Sequence, residues 1–99
     1  MEEIEKLVAY YLTTRNVYGI EEVLDILVAK TTKVNYKDII KCIDNHLERK
    51  VESDLTMYLA EIAAKQLPDL ETIILEKLSL YSSKSAIEDL KEALDKIKN

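Results

Sequence analysis

The spacing of apolar residues predicts an all-α protein, a compact bundle or orthogonal array of five to six short helices. Three observations carry that expectation. Apolar side chains recur at three- and four-residue intervals along six successive segments. One glycine and one proline in 99 residues leave few positions for the positive-φ turns of hairpin-rich sheets. The joints between segments are short, which predicts antiparallel neighbours throughout, as in helical bundles and stacked hairpins.

The first helix runs from Glu2 to Thr14 and puts Ile4, Leu7, Val8, Tyr11 and Leu12 on one face. A second is expected over about 20–31, with Gly19 as N-cap, Glu22 at the third position and a Tyr18–Val23 staple. It carries Ile20, Val23, Leu24, Leu27 and Val28, and the run Thr31-Thr32-Lys33-Val34 ends it because β-branched residues and threonine hydroxyls disfavour helix. Asn35 then reads as the N-cap of a third helix over about 35–50. Asp38 sits at its positive end, Val34 and Ile39 form a staple, and Ile39, Ile40, Ile43 and Leu47 are its core face.

Ser53 reads as the cap of a fourth helix with Leu55, Tyr58, Leu59, Ile62 and Ala63 inward; Pro68 cannot lie inside it. Pro68-Asp69 starts a fifth, carrying Leu70, Ile73, Ile74 and Leu78 and closed by Ser82 and Ser83. Ser85 with Glu88 reads as a capping box for the last helix, whose narrow stripe of Ile87, Leu90, Leu94 and Ile97 suits a groove or a two-helix seam. A shift of fifty residues superimposes helices two and three on five and six. The identities at that offset are few (Glu2 with Glu52, Glu21 with Glu71, Lys41 with Lys91), and any two capped amphipathic hairpins match this way, so no duplication is inferred.

Length predicts one domain over 1–99, since a chain of this size supports a single core. No apolar run approaches the ~18 residues of a membrane span, and Met1 leads into Glu2 and Glu3 instead of a basic, then apolar, signal. Cys42 stands alone and can form no intrachain disulfide, so a cytoplasmic setting is expected. The net charge of -5 argues against broad attraction to nucleic acid or anionic lipid.

A single glycine excludes phosphate-cradling loops. One cysteine and one histidine cannot supply a zinc site from one chain. No cofactor, metal or catalytic residue is therefore assigned. Glu2–Lys6, Glu61–Lys65 and Glu92–Lys96 read as exposed ion pairs four residues apart. Asp38, Cys42 and His46 line one side of helix three like a nucleophile with its acid and base. Eight residues of helix span ~12 Å and turn ~80°, however, so the outer two cannot both reach the thiol. They read as a cap, a semi-buried thiol and a boundary imidazole; a metal shared by Cys42 and His46 of two subunits is the alternative.

Two functional readings follow. The first is a non-enzymatic protein-interaction or assembly module, self-associating as a homodimer. Tyr10, Ile26, Leu75 and Leu80 lie off their main stripes, and Ile87, Leu90, Leu94 and Ile97 are its expected partner-binding residues. The second is a DNA-binding transcriptional regulator with a helix-turn-helix core formed by helices 20–31 and 35–50. Over residues 30–41, Lys30, Lys33, Lys37 and Lys41 stand against Asp38 alone, and Thr32, Lys33, Asn35, Lys37 and Lys41 would meet nucleic acid. Asp44 and Glu48 on the same helix count against it.

Overall fold

A computed structural model describes residues 2–13, 17–45 and 51–98, with Val17 and Tyr18 described by their backbone alone. Among these residues the chain is all-α. Its elements are α1 (Glu2–Thr13), α2 (Val17–Lys30), α3 (Tyr36–Asp44), α4 (Glu52–Ile62), a 3-10 turn (Ala63–Lys65), α5 (Leu70–Leu80) and α6 (Lys84–Lys98). They fall into two compact units, Met1–Lys50 and Val51–Asn99.

In the first unit, Glu2, Glu3 and Glu5 occupy the first turn of α1, where negative charge offsets the helix dipole. The helix buries Val8, Tyr11 and Leu12, and packs against both α2 and α3. Glu3 at its start pairs with Lys30 at the end of α2, 3.1 Å away, so α1 and α2 are antiparallel. The N-cap role expected for Gly19 is corrected: α2 starts at Val17, with Gly19 inside its first turn. Glycine keeps its backbone N–H there, and what it costs the helix is its greater freedom in the unfolded chain. The Tyr18–Val23 staple falls on a side chain outside the described residues.

Thr31 closes α2 by donating its hydroxyl to the Leu27 carbonyl at 2.8 Å. Asn35 is the N-cap of α3, as its position predicts, and its carbonyl accepts the Ile39 N–H at 3.1 Å, but its side chain makes no capping bond to the helix; Thr32 reinforces the start. The Thr32 carbonyl accepts the Tyr36 N–H at 3.1 Å. Its hydroxyl accepts the N–H groups of Val34 and Asn35, both at 3.2 Å. Asn35 Oδ1 reaches back to accept the Thr32 N–H at 2.7 Å. This is a reciprocal capping box with asparagine in place of the usual glutamate. Val34, expected in a staple, is 89% exposed, and Tyr36 enters the core beside Ile39, Ile40 and Ile43. The helix expected to reach about Lys50 ends at Asp44, with Asn45 as its C-cap; residues 46–50, with His46 and Leu47, lie outside the described residues.

In the second unit, α4 follows an extended Val51, and Ser53 lies in its first turn instead of capping it. Leu55, Thr56, Tyr58, Leu59, Ala60 and Ile62 are all buried, a broad face that leaves Glu61 exposed on the opposite side. Two left-handed residues make the bend that follows: Gln66 (φ 55°) ends the 3-10 turn, and Asp69 (φ 65°) offers its carbonyl to Ile73 N–H at 3.1 Å to begin α5. Asp69 thus takes the cap position anticipated for Pro68-Asp69, through its backbone.

The Ser85–Glu88 box expected at the start of α6 is replaced as well. Ile87 N–H donates to the Ser83 carbonyl at 2.9 Å, so the helix opens at Ser83 and Ser85 lies inside the first turn. Glu52 supplies the cap from α4: its Oε1 accepts the N–H groups of Ser82 and Ser83 at 3.0 and 2.7 Å. Further along the seam, Thr56 Oγ1 donates to Asp89 Oδ2 at 3.0 Å and Lys96 Nζ donates to the Ala60 carbonyl at 3.1 Å. The partners ascend together on both helices, so α4 and α6 run in the same direction. This corrects the expectation of antiparallel neighbours throughout: α5 carries the chain back and also packs on α6. Ala86, Leu90 and Ala93 form the fully buried face of α6. Two alanines there let the helix backbones approach closely.

Candidate interaction surfaces

The expected partner-binding stripe on α6 is largely inside its own unit. Leu90 is 0% exposed, while Ile87, Leu94 and Ile97 are half-buried at the edges of the seam. The burial axis passes through Ala86 and Ala93, which a pattern read from large side chains underweights. Of the expected stripe, only the three half-buried residues present any surface to a partner.

Lys37 and Lys41 stand exposed one turn apart on α3, and Lys33 and Val34 are exposed in the turn that precedes it. The Lys37 ammonium lies 5.9 Å from the centre of the Tyr36 ring. Thr32 and Asn35, the other two residues expected to meet nucleic acid, are engaged in the capping box. Asn35 also donates its Nδ2 to the Lys30 carbonyl at 2.8 Å. One Nδ2 hydrogen and Oδ1 therefore serve the backbone of this turn.

Glu5 of α1 with Asp38, Lys41, Cys42 and Asn45 lines an open hollow of about 380 Å³. Burial pushes the Cys42 thiol above its ordinary range, and the negative charges of Glu5 and Asp38 push it in the same direction. The thiol is held in its protonated form, whereas the thiolate is the nucleophile and the metal ligand. Asp38 thus opposes the chemistry that its spacing from Cys42 suggested, and His46 lies outside the described residues. Among the described residues no group of three His, Cys, Asp or Glu side chains is placed to hold a metal ion.

The outer face of α5 was not singled out from the sequence as a site, although it is legible there once the helix is phased. Glu71, Leu75, Glu76 and Leu80 are exposed, and the buried side belongs to Leu70 and Ile74. Tyr10 and Ile26, the other two off-stripe apolar residues, are exposed too. The pairs expected at Glu2–Lys6 and Glu92–Lys96 form at 3.5 and 3.8 Å across exposed groups, and pairs of this kind contribute little.

Comparison with protein-family models, curated proteins and solved structures finds no match. The functional reading therefore rests on these surfaces. Among the described residues no helix is long and apolar enough to cross a membrane.

Proposed function

We propose that this chain is a non-enzymatic protein-interaction module that self-associates, as a dimer or a larger homo-oligomer. One observation carries the reading: large apolar side chains stand on the surface of both units, with Val34 89%, Leu80 66%, Tyr10 58% and Leu75 48% exposed. Such area is removed from water when a partner covers it, at roughly 25 cal/mol per Å² of apolar surface. The proposed setting is the cytoplasm, on the strength of the lone cysteine. Sedimentation velocity across a wide concentration range tests the reading. A rising mean sedimentation coefficient is expected, and a strict monomer at every concentration rejects self-association.

The alternative is duplex DNA binding through α3, favoured by the exposure of Lys37 and Lys41 on the helix and of Lys33 in the turn before it. The capping roles of Thr32 and Asn35 weigh against base reading, and Glu5 and Asp38 beside Lys41 weigh against phosphate contact. A gel shift on random duplex at low salt decides it. Binding lost in Lys37→Glu supports the alternative, and no binding at all removes it.

A further inference from the structure

The self-association reading above can be taken one step further, to the two surfaces that meet, and the step rests on that reading. At about 100° per residue, Glu71, Thr72, Leu75, Glu76, Ser79 and Leu80 fall in one continuous arc of α5, and all six are exposed. The arc carries two carboxylates and two open leucines. The one basic residue of the helix, Lys77, lies on the half-buried side, 5.9 Å from the centre of the Tyr81 ring.

The amino-terminal end of α3 presents the reverse combination. Lys33 and Val34 in the turn before α3 and Lys37 and Lys41 on the helix are all exposed, so three ammonium groups accompany an open isopropyl group in this segment, with Asp38 and Glu5 beside Lys41. Each surface therefore has apolar groups and a charged rim, and the rims are of opposite sign.

Neither surface suits a copy of itself. Pairing α5 with α5 sets Glu71 and Glu76 against the same carboxylates, and pairing α3 with α3 sets ammonium against ammonium; like charges across an interface oppose docking. A twofold contact through either one is disfavoured on that ground. The two surfaces match each other in charge and both offer apolar area. We infer that the acidic, leucine-bearing face of α5 on one copy docks on the lysine and Val34 strip of α3 on a second copy. The contact is heterologous, so the assembly closes into a ring or extends head to tail.

Sedimentation velocity of the full chain at low and high salt tests this, with two charge-reversed variants, Lys33→Glu/Lys37→Glu and Glu71→Lys/Glu76→Lys, each checked by circular dichroism. Assembly of the unmodified chain is expected to weaken as salt screens the rims. Each variant alone is expected to assemble at least about tenfold more weakly. An equimolar mixture of the two is expected to recover assembly, because the native α5 of one meets the native α3 of the other and the reversed surfaces also match. A chain that is monomeric under all conditions overturns both this pairing and self-association. Assembly that ignores salt and both reversals overturns the pairing alone and leaves self-association standing. If Lys33→Glu/Lys37→Glu leaves assembly unchanged but abolishes duplex binding, the strip belongs to nucleic acid and the pairing falls.

Discussion

The two units place three helices each at nearly the same positions fifty residues apart, with α1 at Glu2–Thr13 and α4 at Glu52–Ile62, yet they hold their third helix in different ways. In the first unit α1 is the shared neighbour of α2 and α3; in the second, α6 is the shared neighbour of α4 and α5. The start of α3 is built from hydrogen bonds that each span no more than five residues, among Lys30, Thr32, Val34, Asn35 and Tyr36. The start of α6 is held by Glu52, thirty residues upstream. Similar helix order thus does not imply similar wiring. Where the cap is local, the helix start survives changes elsewhere; where the cap comes from another helix, the start and the packing are one event.

The largest effect that separates these arrangements is expected from Glu52→Ala. Two backbone N–H groups lose their acceptor, at a cost of about 1–3 kcal/mol, and partial exposure of the joint keeps the loss toward the lower end. Denaturant midpoints measure it, and hydrogen exchange should accelerate at Ser82 and Ser83. A loss no larger than that of an ordinary surface change would break the contrast between the two units.

Thr32→Ala is expected to cost about 1 kcal/mol, with faster exchange confined to Val34 and Asn35. Protection lost across all of α3 would mean that its start is not as self-contained as the hydrogen bonds indicate.

Gln66→Gly acts in the opposite direction. Relief of a left-handed backbone is offset by the greater freedom of glycine in the unfolded chain, leaving a gain of about 0.5 kcal/mol. A raised midpoint in urea checks it, and a lowered one refutes the account of that bend.

Ser85→Ala should change stability by less than about 0.5 kcal/mol, because Ser85 lies inside α6 and its hydroxyl faces only that of Ser83, at 3.2 Å. A loss near 1 kcal/mol would restore the local capping box.

The legible and illegible parts of the fold divide along the same line. The stripes Val8–Tyr11–Leu12, Val23–Leu24–Leu27 and Ile39–Ile40–Ile43 are buried as their spacing predicts, because helical periodicity needs only neighbours three and four residues away. Helix starts are less legible: Gly19, Ser53 and Ser85 each have the character of a cap yet lie inside their helices, and Asn35 takes the N-cap position of α3 without a side-chain bond to it. Any small polar residue before an apolar run qualifies on sequence, and which one is used depends on acceptors brought in by the fold. The candidate surfaces show the same division. Leu75, Leu80, Tyr10 and Ile26 are off-stripe in the sequence and exposed in the structure, whereas the α6 stripe was read one residue off its burial axis.

Sequence by itself determined that the chain is helical, roughly where each helix lies, and which apolar residues are surplus to the core. Those properties follow from composition and from spacing within a turn or two. Only the tertiary structure decided that α6 buries Ala86 and Ala93, that Glu52 caps it, and that Thr32 and Asn35 serve the backbone of their own turn. Each of these depends on which groups come within about 3 Å of one another, and residues far apart in the chain reach that distance only when packing brings them there.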